Sequence, residues 1–195
     1  GKLSFSWKVK DAKGKSQTYA RVRIAADEAM QEILFDSGKD REANSLGYKI
    51  DFKTEPRTRY YWTLELASDA GEVTVSVPQF FETAKMDEAW TGRWITCATD
   101  QARHPYFVKD IAAKEEVVRA RLYVCGLGLY EAYWDDKKIG NEYLTPYQNN
   151  YNRWVQYQTY DVTEQVKDGG KLFVSYLDKA YGGNYAGCGS DLSNP

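Results

Sequence analysis

Hydrophobic and polar residues alternate with a period of two along most of the first 85 residues. In the segment 19–24, Ala20, Val22 and Ile24 fall on one side of the chain, and the aromatic and basic residues between them fall on the other. The segment 59–66 alternates in the same way. It predicts that the residues buried are Tyr60, Trp62, Leu64 and Leu66, and that the residues exposed are Tyr61, Thr63 and Glu65. A turn at 69–71 leads to a third strand lined by Val73, Val75 and Val77. Short strands with one wet face each predict a β-sandwich.

The alternation breaks between residues 81 and 94, where the charges are mixed and no period of two remains. We therefore predict two domains, 1–84 and 85–195, and we expect Trp90 and Trp94 to pack at the junction or at the start of the second domain. Strand patterns resume in the second domain, including those at 106–110, 117–124, 130–134, 155–160 and 172–177. Six strands are recognisable there, whereas a jelly roll has eight.

Turn signals separate these strands. Gly126 and Gly128 predict a turn or bulge, and the segment 135–138 predicts a hairpin turn. A single helical turn is predicted to open at Asp161, with Asp161 or Thr163 as its cap, and to end at 168–170.

Composition excludes several classes of partner. The net charge is −2, from 26 basic and 28 acidic residues, and no basic block stands out, so a nucleic acid is not an expected partner. No run reaches the roughly 18 apolar residues of a membrane helix, so no membrane contact is expected. The chain lacks a signal peptide and begins at Gly1, which is consistent with a mature or engineered start. A periplasmic or extracellular location is favoured over a cytoplasmic one.

The cysteines and aromatic residues do not by themselves indicate a function. Cys97, Cys125 and Cys188 have no metal-type spacing, and we predict three free thiols, although the sequence leaves one disulfide open. Aromatic residues make up 15% of the chain, and tyrosine and tryptophan dominate. These side chains stack on sugars, but they are equally common in strands, and the strand interpretation is favoured.

Two groups of segments, one in each domain, follow an order that is specific to one family. The first domain contains FSWKV (5–9), QTYARVRIA (17–25), LFDSGK (34–39), TRYYWTLELASDAG (58–71) and FETA (81–84). The second contains WI (94–95), RARLYVCGLGLYEAYWDDKKIG (119–140), LTPYQNNY (144–151) and YQTYDVT (157–163). Together they resemble the amino-terminal region of bacterial α-L-rhamnosidases of glycoside hydrolase family 78. The chain departs from the family in having Asp135-Asp136 where an Asn-Gly turn is usual, and in matching the family's late Gly-Trp-Tyr segment only loosely.

The resemblance implies an all-β chain with two β-sandwiches. The first is a fibronectin type III-like domain. The second is a galactose-binding-like jelly roll, which looks incomplete, and is related to carbohydrate-binding modules. In this family, inverting hydrolysis of terminal α-L-rhamnose is carried out by acidic residues of a helical (α/α)6 barrel. No such barrel is present in the sequence, so we expect no catalytic residue here and no activity of the chain alone. Its role would be to dock on the barrel and support it.

The loop 145–154 is the candidate contact for a rhamnose-containing glycan. Amide and guanidinium groups hydrogen-bond sugar hydroxyls, and aromatic rings offer an apolar face to ring C–H groups. The candidate residues are Tyr147, Asn149, Asn150, Tyr151, Arg153 and Trp154. The favoured alternative is an ordered loop that covers the sheet or docks on the barrel.

A calcium site is a weaker hypothesis, and no other cofactor is predicted. Asp135, Asp136 and Asn141 carry oxygen ligands of the type that calcium prefers. Lys137 and Lys138 stand beside them and would repel a cation, so a solvated hairpin is favoured. Two further functions stay open: a stand-alone carbohydrate-binding protein, and a structural spacer without a ligand.

Overall fold

The structure, a computed structural model, describes residues 2–96, 104–113, 115–147, 150–177 and 188–191, with the backbone alone for 177 and 188–191. The chain divides into two compact units, Gly1–Glu88 and Ala89–Pro195. The junction that the sequence predicts at residue 85 stays a prediction. In the described part of the chain, no helix is long and apolar enough to cross a membrane.

The first unit is built from antiparallel strands in two sheets. One sheet pairs β1 with β4, and the other has the order β3-β2-β5, with β6 and β7 both pairing with β5. The strands are β1 (Lys2–Phe5), β2 (Gln17–Ala25), β3 (Ile33–Asp36), β4 (Tyr48–Asp51), β5 (Arg59–Ser68), β6 (Val73–Val75) and β7 (Gln79–Glu82).

The inward face of β2 forms the centre of this unit. Ala20, Val22 and Ile24 are fully buried, as the alternation predicts. They pack in one cluster with residues of the other sheet, among them Phe5 and Ile50. Burial of an aliphatic side chain contributes about 1.5–3 kcal/mol, so this face stabilises the sandwich.

The prediction for β5 is wrong at Thr63, which is buried at 5% exposure rather than exposed. Thr63 lies directly opposite Arg23 on β2, and cross-strand neighbours share a face of the sheet. The small threonine therefore lies beside the long Arg23 side chain on this face. The exposure pattern of a strand reflects its neighbours as well as its own period.

Ion pairs also cross the outward face of this sheet. Arg21 Nε donates to Asp36 Oδ1 at 2.8 Å, and this contact lowers the pKa of the Asp36 carboxyl to about 2. Tyr19 donates its hydroxyl hydrogen to Glu65 at 2.8 Å. These contacts connect β2 with β3 and with β5, so they favour the observed register.

The second unit contains eight strands among its described residues, two more than the sequence shows. They form two antiparallel four-stranded sheets, with the orders β13-β10-β15-β8 and β12-β11-β14-β9, as an eight-stranded sandwich requires. The elements are β8 (Arg93–Ile95), β9 (Tyr106–Ile111), β10 (Arg121–Gly126), β11 (Leu129–Trp134), β12 (Lys137–Lys138), β13 (Tyr157–Asp161), α1 (Thr163–Asp168), β14 (Gly170–Leu177) and β15 (Cys188–Asp191).

Residues of both sheets share one buried cluster. It includes Leu122 and Val124 of β10 with Tyr130 of β11 and Tyr176 of β14. The Tyr130 hydroxyl donates to the Val124 carbonyl at 2.7 Å, so its polar end is satisfied inside the core. A Cβ at Gly126 would stand 2.8 Å from the Tyr130 ring, which explains the glycine at the end of β10.

Three predicted details of this unit are wrong. Strand β10 begins at Arg121 rather than at 117, because the Ala120 amide donates to Thr163 Oγ1 at 3.0 Å instead of to a strand. The alternation of 117–124 places Tyr123 on the exposed side with Arg119 and Arg121, yet Tyr123 is buried, and its ring centroid lies 6.2 Å from that of Tyr157 on the neighbouring strand β13. The helix begins at Thr163 and not at Asp161, with Val162 at the N-cap position, although Asp161 Oδ1 does accept a hydrogen bond from the Thr163 amide at 3.1 Å, as predicted.

Candidate functional site

The loop 145–154 begins at a firmly held residue. Thr145 is 9% exposed, and its hydroxyl oxygen accepts a hydrogen bond from Gln158 Nε2 at 3.0 Å. Its carbonyl accepts from the Tyr130 amide at 3.0 Å. Gln158 lies on β13 and Tyr130 on β11, so the start of the loop is tied to both sheets.

A tight turn around Asn150 forms the far end of the loop. The Asn150 carbonyl accepts from the amides of Arg153 and Trp154, at 2.8 and 3.2 Å, and its side-chain oxygen accepts from the Asn152 amide at 3.2 Å. This turn leaves Arg153 exposed and Trp154 54% exposed, while Tyr147 earlier in the loop is 72% exposed. Two aromatic rings and a guanidinium group therefore face solvent, whereas the Asn150 amide oxygen is used inside the turn.

The structure therefore brings together only some of the six predicted sugar-contact residues. The turn brings Asn150, Arg153 and Trp154 together, and Tyr151 is half-buried between them in sequence. Asn149 lies outside the described residues. The sugar contact itself stays a prediction.

In the hairpin predicted as a calcium site, the first aspartate, Asp135, has a structural role. Asp135 occupies the left-handed region at φ 49°, directly after β11. Its amide donates to the Lys171 carbonyl at 2.8 Å, and its Oδ1 accepts from the Lys171 amide at 2.9 Å. Asp136 is exposed in the turn, and the Asn141 amide donates to Glu142 Oε2 at 3.1 Å. Within the described ranges, no three His, Cys, Asp or Glu side chains are grouped so that they could hold a metal.

One face that the sequence does not single out is the outward side of the sheet β12-β11-β14-β9. We call it the tyrosine face. Across the register, Lys138, Tyr133, Phe173 and Val108 form one row, and Glu131, Ser175 and Tyr106 form the next. Outward faces of antiparallel sheets are usually polar, yet this one is largely aromatic and aliphatic.

A compact polar network lies within the tyrosine face. The Glu131 carboxylate accepts from the Tyr133 hydroxyl and, at 2.9 Å, from Lys138 Nζ, and these contacts lower the pKa of Glu131. Lys138 Nζ also stands 3.4 Å from the centroid of the Tyr143 ring, a cation–π contact. The carboxylate is therefore held in its charged form as part of the surface.

A second feature is a hollow of about 220 Å³ in the second unit, which we call the aromatic hollow. Trp90 meets the Tyr157 ring edge-on, with 5.4 Å between the ring centroids. The sequence predicts that both tryptophans pack against the protein. Trp94, on β8, is 55% exposed, so the prediction is wrong for this residue. Trp90 is 38% exposed, so it packs only in part. The lining residues are Trp90, Gly92, Arg93, Trp94, Cys125, Val155 and Tyr157.

Sequence signals for both features exist, but they are indirect. Tyr106, Val108 and Tyr133 stand at outward positions of strands, where polar residues are expected. Trp90 and Trp94 lie in the segment 81–94, where no periodicity predicts that they are buried. Cys125 is buried, as predicted for a cysteine that packs as a small hydrophobic residue. Cys97, together with the side chain of Cys188, lies outside the described part.

Comparison with known sequences assigns both units. Residues 1–87 match the family described as "Rha78A-like, N-terminal immunoglobulin domain". Residues 115–184 match the family described as "Alpha-L-rhamnosidase N-terminal domain". The β-sandwich prediction is confirmed, whereas the fibronectin type III-like assignment of the first unit stays a prediction, since the matching family is described as an immunoglobulin domain.

The curated relatives are long proteins. An α-L-rhamnosidase of Formosa agariphila is 30% identical over 198 residues, which is 85% of this chain and 21% of that protein. One from Streptomyces avermitilis is 38% identical over 108 residues, which is 52% of this chain and 10% of that protein. This chain thus spans about a fifth of the length of the first of these relatives.

Solved structures give the same alignment. The α-L-rhamnosidase from Dictyoglumus thermophilum is 28% identical with a TM-score of 0.83, over 95% of this chain and 24% of that one. The α-L-rhamnosidase from Aspergillus terreus, at 18% identity and a TM-score of 0.76, has the same fold over 97% of this chain and 24% of its own. The chain therefore belongs to the α-L-rhamnosidase family, in which it corresponds to the amino-terminal domains.

Proposed function

We propose that this chain is the non-catalytic amino-terminal part of an α-L-rhamnosidase, an enzyme that releases terminal α-L-rhamnose from glycans or glycosides. The observation that carries the proposal is the match of both units, in order, to the amino-terminal domains of such proteins. The relatives extend far beyond the matched part, which leaves room in them for a separate catalytic domain.

The electrostatics of the described carboxylates support a non-catalytic role. An inverting glycosidase needs a general acid with a raised pKa and a carboxylate base several ångströms away. The shifts among the described carboxyl groups run the other way. Hydrogen bonds lower the pKa of Asp27, Asp36, Asp69 and Glu131. Such groups stay charged and donate no proton at neutral pH.

The tyrosine face supports a scaffolding role for the second unit. Tyr106, Val108 and Tyr143 are 68%, 54% and 72% exposed on or beside this face. Contiguous exposed apolar surface commonly marks an interface. The occupant we propose is the catalytic domain of the longer protein, and the paired Glu131 and Lys138 would add polar contacts at its edge.

We expect the isolated 195-residue chain to release no aglycone from a chromogenic aryl α-L-rhamnoside. The longer gene product that contains it should do so under the same conditions. Absorbance of the released phenol measures both. Turnover by the isolated chain would contradict the non-catalytic assignment, and a longer product that folds but does not act on the glycoside would contradict the enzyme assignment.

Sugar binding by the loop 145–154 is a second proposed function. The supporting observation is that Tyr147 and Trp154 expose their rings beside Arg153, on a loop whose start is held by Thr145. Burying one such ring against a sugar would remove apolar surface from water at about 25 cal/mol per Å².

The indole N–H resonances of the six tryptophans give a direct test of the loop. On titration with methyl α-L-rhamnopyranoside, with and without calcium, the Trp154 resonance should shift and saturate at millimolar concentration. Trp154→Phe identifies that resonance by its loss. Trp134, which is buried in the core, supplies the internal control. A Trp154 resonance that does not move up to 100-fold molar excess would remove the loop as a sugar site and leave the spacer role.

A further inference from the structure

The aromatic hollow exposes more indole surface than a folded domain normally leaves in water. Trp94 is 55% exposed and Trp90 38% exposed, and both line the same hollow. Full burial of a large apolar side chain stabilises a fold by about 1.5–3 kcal/mol. Two partly exposed tryptophans beside one hollow contribute much less than this. Clustered exposure of this kind is typical of ligand sites rather than of an ordinary surface.

The polar complement of the hollow is a single cation. Arg93 is exposed on β8, next to Trp94, and has no hydrogen-bond acceptor among the described residues. A guanidinium carries five N–H donors in a planar fork that bonds two neighbouring oxygens at once. Cys125 and Val155 add apolar lining. A matching ligand therefore needs an apolar face together with adjacent oxygen acceptors.

The size of the hollow limits the ligand to one ring. Pockets for drug-sized molecules measure about 300–1,000 Å³, and the hollow measures about 220 Å³. A pyranose has a face of C–H groups, which packs on an indole, and an edge of vicinal hydroxyls, which accept from a guanidinium.

We propose that the aromatic hollow binds a single pyranose residue, with the sugar's C–H face on the Trp94 indole and two vicinal hydroxyls on the Arg93 guanidinium. This site is distinct from the loop 145–154. It lies at β8, β10 and β13, and it does not depend on the rhamnosidase assignment. A sugar held here would give the amino-terminal part of the chain its own contact with a glycan.

The test uses the same tryptophan indole resonances, assigned for Trp94 and Trp90 by Trp94→Phe and Trp90→Phe. We expect methyl α-L-rhamnopyranoside or methyl β-D-galactopyranoside to shift the Trp94 resonance with saturation in the millimolar range. Movement of the Trp154 resonance alone would overturn the hollow and support the loop.

Two variants connect the shift to the proposed contacts. Arg93→Lys should weaken binding about tenfold, as read from the Trp94 resonance, because an ammonium does not form the two-pronged contact. Trp94→Ala should weaken it at least as much, as read from the Trp90 resonance. Both residues are exposed, so both variants should keep the thermal midpoint of the parent chain. Unchanged affinity in either variant would overturn the proposal. Absence of any tryptophan shift would overturn both sugar sites and leave the turnover test of the longer protein unaffected.

Discussion

Replacing Ile24 by alanine is expected to lower the free energy of unfolding of the first unit by about 2–5 kcal/mol. Ile24 is fully buried in the middle of β2. Phe35 on β3 and Trp62 on β5 lie opposite it in the register, and both pack against the buried cluster. The substitution removes three carbons and leaves a cavity that these large rings cannot refill without leaving their strands. Lost transfer energy and the cavity therefore add.

Denaturant unfolding followed by NMR resonances of each unit measures this effect separately for the two units. The matched control is Val75→Ala on β6, where the side chain is 49% exposed and the change should stay within about 0.5 kcal/mol. A loss below about 1 kcal/mol for Ile24→Ala would mean that the first unit is packed far more loosely than the structure indicates.

Alternation predicted the core of β2 because one face of that strand is wet and the other is dry. It failed at Thr63, which lies opposite the long Arg23 side chain of the neighbouring strand, and at Tyr123, whose ring lies beside that of Tyr157 on β13. In both cases the burial is decided by residues far away in sequence. A single strand's period carries no information about them.

Short strands escaped the sequence analysis for a related reason. Strands β1, β4 and β8 have three or four residues, too few to display a period, and their partners are distant: β1 pairs with β4 across more than 40 residues. These strands are defined by their hydrogen bonds to distant strands and not by a local pattern of residues. The two missing strands of the predicted jelly roll were absent from the sequence pattern and present in the fold.

The candidate sites show the same limit for tryptophan. Trp134 and Trp94 are both strand residues, and sequence treats them alike. Trp134 is 7% exposed because it faces the buried cluster of the second unit. Trp94 is 55% exposed because it lies on the outward face, in the same row as Cys125, and because β8 is at the edge of its sheet. The face and the position of the strand, which only the structure supplies, therefore separate a core tryptophan from one that is available to a ligand.

Replacing Gly170 by alanine is expected to destabilise the second unit by about 3 kcal/mol or more. Gly170 opens β14 at φ +147°, a conformation that L side chains rarely adopt, and this strain alone costs about 1–3 kcal/mol. A Cβ there would lie 2.4 Å from Trp134 Nε1 and 2.9 Å from Asp135 Oδ2. The Trp134 indole donates to the Gly169 carbonyl at 3.3 Å, and Asp135 holds the Lys171 amide, so neither group moves without losing a hydrogen bond.

Gly169→Ala is the control that separates backbone strain from steric crowding. Gly169 is the neighbour of Gly170 and also has a positive φ, +72°. Its added Cβ would meet only the Ile111 carbonyl at 3.5 Å, which is an ordinary contact. Gly170→Ala should cost at least about 1–3 kcal/mol more than Gly169→Ala, the usual penalty of overpacking. Denaturant unfolding of the second unit measures both. Equal losses would mean that Trp134 and Asp135 move away from the added methyl group at no cost. A larger loss for Gly170 would show that Trp134 and Asp135 hold their positions against the added methyl group.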